Sequence, residues 1–174
     1  MTVRTVRIDE LPVERWANGL GRTRPVLEED GLRVSVATIH EAAPFSPLPG
    51  LHRLLTVVGP VGVRLTVDGA GREVEPGEAI RFSGAAAVSV DATAEPTAVL
   101  NILHDERWGA DVLIGPVPPD EPADLRTALD CSGAGVIAIS GRRLTLAITG
   151  PTQSSAGATR VILASWAPVP GRSR

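Results

Sequence analysis

The residues best suited to chemistry stand between Pro44 and Arg53, a stretch that reads PFSPLPGLHR. Three prolines and a glycine in ten residues exclude a helix or a central strand. Proline fixes φ, lacks an N–H and pushes the residue before it to extended geometry. The stretch is expected to be a stiff loop that brings an aromatic ring (Phe45), a hydroxyl (Ser46) and a guanidinium (Arg53) to one place. Arg53 then opens the apolar run Leu54 to Val58. A charge facing the inside of a β-protein is costly unless paired. A guanidinium held there can grip a carboxylate through two parallel hydrogen bonds. The plainer reading of the same residues is a proline-stiffened corner with an exposed arginine.

Other chemistries are poorly encoded. All 17 basic residues are arginine, so no lysine is available as a Schiff base or general base. Cys131 is the only cysteine, which excludes an intramolecular disulfide and a cysteine-rich zinc site. Ser46 lacks a Gly-x-Ser-x-Gly frame. Trp16 stands beside an Asn18-Gly19 turn, with Gly21 two residues on and Arg24 leaving the segment. Asn-Gly tolerates positive φ, and a further glycine lets the backbone approach a neighbour closely. The glycine spacing does not match a phosphate loop, and no Lys-Ser/Thr follows it.

A scaffold of short strands must position these groups. Residues 32–39 alternate strictly, with Leu32, Val34, Val36 and Thr38 on one side and Arg33, Ser35, Ala37 and Ile39 on the other. Further strands are expected over 53–58, 63–67, 72–74, 79–82, 88–90, 98–103, 135–140, 143–149 and 160–166. Asp68-Gly69, Pro76-Gly77 and Gly141-Arg142 punctuate them as turns. Glu28-Glu29-Asp30 reads as a solvated turn, residues 124–130 as one helical turn, 152–159 as a mobile loop and 168–174 as a frayed tail. No amphipathic period of twelve residues or more is present, so the expected class is all-β, a sandwich or barrel. The chain reads as one domain over 1–174, with lobes at 1–114 and 125–167 joined by the proline-rich segment 115–124.

The net charge of −3 gives no electrostatic footprint for nucleic acid. No apolar run approaches the ~20 residues that span a bilayer, and the N-terminus has no apolar signal core. A cytoplasmic protein without membrane or nucleic-acid partners is expected.

Several of these segments resemble the HutD/Ves family. WANGLGRTR from Trp16 to Arg24 is similar to its Trp-x-Asn-Gly-Gly-Gly-x-Thr-Arg signature, and LRVSVA from Leu32 to its Trp-Arg-x-Ser-x-Ala. PFSPLPGLHR is similar to its Gly-Pro-Phe-Ser-x-Phe-Pro-Gly-x-x-Arg, and Asn101 falls where the family has Asp-x-Asn. The likeness covers roughly residues 8 to 115. Leu20, Ala43 and Leu32 replace a glycine, a glycine and a tryptophan of the pattern. The resemblance implies a cupin-like double β-barrel or sandwich (a bicupin) and a regulatory, ligand-binding role in histidine utilisation. Urocanate or a formylated glutamate-like acid is the implied ligand.

Cupin enzymes hold a metal with His-x-His, a glutamate and a later histidine. Here His40, His52 and His104 are isolated, so no metal or other cofactor is expected unless they converge in space. The candidate ligand site comprises Trp16, Asn18, Arg24, Phe45, Ser46, Arg53 and Asn101. Arg53 and Arg24 would hold a small carboxylate, Asn101 and Ser46 would orient its polar atoms, and Trp16 and Phe45 would cover its flat part. For Trp16 the competing role is core packing, and for Asn18 the turn itself. Two further readings stay open: an enzyme acting on a small carboxylic acid in the same pocket, and a module that forms homodimers through its sheet edges.

Overall fold

The computed structural model describes residues 3–16, 19–116, 136–140, 143–148 and 160–171. In chain order the strands are β1 (Val3–Arg7), β2 (Glu14–Arg15), β3 (Arg22–Glu29), β4 (Leu32–Ile39), β5 (Ala43–Pro44), β6 (His52–Val57), β7 (Val63–Val67) and β8 (Ala70–Val74). They continue as β9 (Ala79–Ser83), β10 (Val88–Val90), β11 (Thr97–His104), β12 (Trp108–Pro116), β13 (Val136–Ser140), β14 (Arg143–Ile148) and β15 (Arg160–Pro168). Among the described residues the helical element is a single 3-10 turn, Ile8–Glu10. The all-β expectation holds.

Three sheets are formed. A six-stranded sheet runs β2-β3-β4-β11-β6-β9, a four-stranded sheet β5-β10-β7-β8 and a five-stranded sheet β1-β13-β14-β15-β12. The six-stranded sheet is the middle layer, and strand alternation explains why. One face of β4, β11 and β6 carries Leu32, Val34, Val36, Leu100, Ile102 and Leu54, which pack with Leu144, Ala164 and Trp166 of the five-stranded sheet. The other face carries Ala37, Ile39, Val99, Leu55 and Val57, which pack with Val63, Leu65, Val74 and Val90 of the four-stranded sheet. Burial on both faces accounts for the nearly unbroken apolar run of β11.

Turn chemistry sets the register. Asp68 and Gly69 both take positive φ, the geometry of a two-residue hairpin whose twist matches β7 and β8. Gly31 (φ +77°) closes β3 onto β4. The Asp105 carboxylate lies against Gly31, where an added Cβ would meet Oδ2 at 2.2 Å. Arg107 bridges Asp105 (2.6 Å) and Asp30 (2.8 Å), tying the β3–β4 turn to the β11–β12 turn. These two hydrogen-bonded carboxylates push the Arg107 guanidinium up, and Arg107 in turn holds the Asp105 carboxyl below the usual aspartate range.

The strands at 32–39, 63–67 and 88–90 have the expected bounds. Two others depart from expectation. Glu28 and Glu29 end β3 instead of forming a turn, because β3 pairs with β4 along its length past a register shift between Pro25 and Leu27. Residues 108–116 form β12, so Gly115 and Pro116 belong to a strand and not to the proline-rich connection. Pro168 and Val169, expected in a frayed tail, are tied down instead: Pro168 pairs with Trp108, and the Val169 N–H donates to Arg107 O at 2.8 Å. The remainder of that connection, the helical turn at 124–130 with Cys131, the Gly141-Arg142 turn and the loop 152–159 lie outside the described residues.

Candidate functional site

The face of the middle sheet turned to the four-stranded sheet changes from apolar to polar along its strands. Ala37, Val99 and Val57 form one cross-strand row. Ser35, Asn101 and Leu55 form the next, and Arg33, Leu103, Arg53 and Phe82 the one beyond. A pocket of about 280 Å³ opens over the two polar rows, walled by Trp16, Thr23, Phe45, Ser46 and Leu48.

Glycines fix the two aromatic walls. The loop from Phe45 to Leu51 is clamped on Gly84: the Leu48 N–H donates to Gly84 O and the Gly84 N–H to Leu51 O, both at 2.7 Å. A Cβ on Gly84 would lie 2.3 Å from Leu48 O, so only glycine admits this approach. The Phe45 N–H donates to Val88 O at 2.8 Å. Across the pocket, the Trp16 ring lies on Gly21, where a Cβ would fall 2.5 Å from Cδ2. The Trp16 Nε1–H donates to Thr23 Oγ1 at 2.9 Å, and the ring meets Phe45 edge to face at 5.7 Å.

Arg53 lies at the centre of this arrangement. Its Cζ is 4.9 Å from the Phe45 ring centroid and 5.8 Å from that of Phe82. The chain has two phenylalanines and no tyrosine, and both phenylalanines contact this one cation. Its Nε is buried without a hydrogen-bond partner, and among the described residues no carboxylate pairs with it. Burial alone pushes the guanidinium down to about 10, which leaves it charged at neutral pH. Asn101, one diagonal step away on β11, has a buried Oδ1 that also lacks a partner. The site therefore holds an unfilled donor and an unfilled acceptor on diagonal neighbours of paired strands, close enough for one small ligand to reach both. At the rim Arg33 pairs with Glu14 (2.6 Å) and Glu28 (3.1 Å), exposed contacts that contribute little stability.

Trp16, Phe45, Ser46, Arg53 and Asn101 thus meet in one pocket. Arg24 does not join them. Strand alternation sends Thr23 to the pocket and Arg24 to the other face, where its Nη1 donates to the carbonyls of Asp9 and Leu11. Asn18 lies outside the described residues. Sequence reasoning missed Thr23, Arg33, Ser35, Leu48 and Leu103. The signal for two of them was available: Arg33 and Ser35 share a strand face with Ala37 and Ile39, so polar side chains continue a buried apolar row. Two of the three histidines converge. His52 and His104 are register partners with ring centroids 5.4 Å apart, whereas His40 is exposed elsewhere.

An all-β protein of three sheets, with an arginine-floored pocket on one face of the middle sheet, is what the chain forms. By its match to the HutD family model over residues 9–163, the chain belongs to the HutD family. It is 36% identical over 92 residues to an uncharacterized 21.2 kDa protein of the hutC 3' region in Pseudomonas putida, a match that spans 48% of either chain. The match thus covers about half the length of that relative. The fold is similar to that of HutD from Pseudomonas fluorescens SBW25 (TM-score 0.68, 21% identity, 97% of this chain and 100% of that one). It is equally similar to PA5104, a conserved protein of unknown function from Pseudomonas aeruginosa PAO1 (TM-score 0.67, 19% identity, the same coverage). Among the described residues no helix is long and apolar enough to cross a membrane.

Proposed function

We propose that this protein binds a small carboxylic acid in the Arg53 pocket without transforming it, as a cytoplasmic regulatory protein linked to histidine utilisation. The observation that carries this reading is the partly buried Arg53 guanidinium, whose Nε is buried without a hydrogen-bond partner, which lies against two aromatic rings and has no acid partner among the described residues. Removing a charge from water without pairing it costs free energy. A ligand carboxylate would supply the missing charge and accept two N–H bonds from the fork. Asn101 Oδ1 would accept an N–H or O–H from the ligand's other end, and Trp16 and Phe45 would cover its flat body. The histidine-utilisation link draws on family membership and on the hutC-region relative.

Isothermal titration of the full chain with urocanate, formylglutamate, formate and a panel of other small acids tests this. Arg53→Ala is expected to weaken the bound acid by roughly 2–5 kcal/mol, the range for truncating one partner of a buried charge pair. If the wild type binds no acid in the panel, or if it consumes the acid that it binds, the reading fails.

A further inference from the structure

We infer that His52 and His104 form a second site, on the face of the middle sheet opposite the Arg53 pocket, which takes an exchangeable divalent transition-metal ion. The two histidines begin β6 and end β11 and are directly opposed in antiparallel register, so their side chains leave the same face. His104 is buried, and its Nδ1 lies 3.0 Å from the Asp105 carbonyl oxygen. A carbonyl oxygen only accepts, so Nδ1 carries a proton, and in the neutral ring the lone pair is therefore on Nε2. A ring fixed through its far nitrogen by a carbonyl is the usual arrangement behind a metal-binding histidine. His52 is exposed and has no hydrogen-bond partner among the described residues, so it is free to turn.

The spacing fits. Imidazole nitrogen binds zinc at about 2.0–2.1 Å, which puts each ring centroid roughly 3.2 Å from the metal and two such centroids about 5.2 Å apart at the tetrahedral angle. The observed separation is 5.4 Å. A cavity of about 550 Å³ opens over the pair, with Arg53, Arg81, Ser83, Glu106 and Trp108 also in its wall, leaving room for water ligands; the Arg53 guanidinium itself lies over Phe45 on the other face. The positive charge of Arg81 is met by Asp111 at 2.8 Å. Among the described residues no third histidine, cysteine or acid completes a three-residue set, so these residues supply two ligands and the ion exchanges readily. Two imidazoles favour copper over nickel and zinc.

The test is titration of tag-free full chain with Cu²⁺, Ni²⁺ and Zn²⁺ in a buffer without carboxylates, together with Cu²⁺ electron paramagnetic resonance. One equivalent is expected to bind, copper most tightly, with hyperfine coupling from two nitrogens. His52→Ala should weaken binding at least about tenfold and leave one nitrogen, since losing a ligand costs no less than losing the group behind it. His40→Ala should change nothing. Because His52 is exposed, its loss leaves the core intact even if His104→Ala fails to fold. Absence of saturable binding would overturn the inference. Equal binding by the wild type and His52→Ala would also overturn it, by placing the ion elsewhere on the chain.

Discussion

Replacing Arg53 by methionine is expected to stabilise the ligand-free protein while abolishing acid binding. Methionine keeps an unbranched apolar stem that reaches about as far as arginine's Nε, and removes the charge. Burial pushes the guanidinium down to about 10, against about 12.5 in water, and each unit corresponds to ~1.36 kcal/mol, which sets a ceiling of ~3 kcal/mol on the cost of holding the charge there. Arg53 is only partly buried, so solvent screening reduces that figure by roughly half. The contacts with Phe45 and Phe82 return a further ~0.5 kcal/mol at such a site. A net gain of about 1 kcal/mol remains, which for a domain of this size raises the midpoint by roughly 2–4 °C. The sign across pH follows from a folded-state value below the unfolded one. The cost is constant wherever both states are charged, below about 10, and fades as pH rises through that value. The gain should therefore be level from pH 6 to 9. Thermal melts in a carboxylate-free buffer measure it. A bound acid should raise the wild-type midpoint and leave that of Arg53→Met where it was. If Arg53→Met melts lower than the wild type by more than the error, Arg53 holds the fold together and the reasoning from its missing partner is wrong.

Two further outcomes are expected. Gly21→Ala should displace the Trp16 ring, since its Cβ would lie 2.5 Å from Cδ2; a loss of ~1–3 kcal/mol is typical of overpacking, and Trp16 fluorescence should change with it. Asp105→Asn should remove an acid-sensitive contribution to stability. The Asp105 carboxyl is held below its ordinary value by Arg107, so its contribution is complete above about pH 4 and is lost as pH falls through the lowered folded value. Melts of both proteins from pH 7 to pH 3 should show a constant difference that narrows only at the acid end.

The sequence was most informative where one local rule decided the outcome. Alternation alone gave β4 its bounds, and Asp68-Gly69 gave the β7–β8 hairpin. The proline loop was legible as a rigid carrier of Phe45, Ser46 and Arg53 because three prolines leave few alternatives. Misreadings arose where pairing overrides local preference. β3 contains Pro25 and two terminal glutamates, and β12 has glycine and proline at its end, so neither resembles a strand until β4 and β15 supply the partners. Arg24 was misplaced for a related reason: without knowing that β3 begins at Arg22, its face could not be assigned. The Arg33–Leu103–Arg53–Phe82 row depends on pairing register between distant strands, which no single segment encodes. The same holds for the meeting of His52 with His104.

The pairing of β1 with β13 bears on how the chain is built. Val3 finds its partner in Ser140, 137 residues later, so this ladder closes a very long loop and its entropy must be met before any contact rewards it. During synthesis β1 emerges before β2 to β11 and waits without its partner while they assemble into the six- and four-stranded sheets. Until residue 140 has been made, its free backbone groups are open to any other unpaired strand, including β1 or β13 of a second nascent chain. The ladder whose first strand waits longest is thus the one most exposed to exchange between molecules, and crowded expression is the condition under which such exchange would produce swapped assemblies.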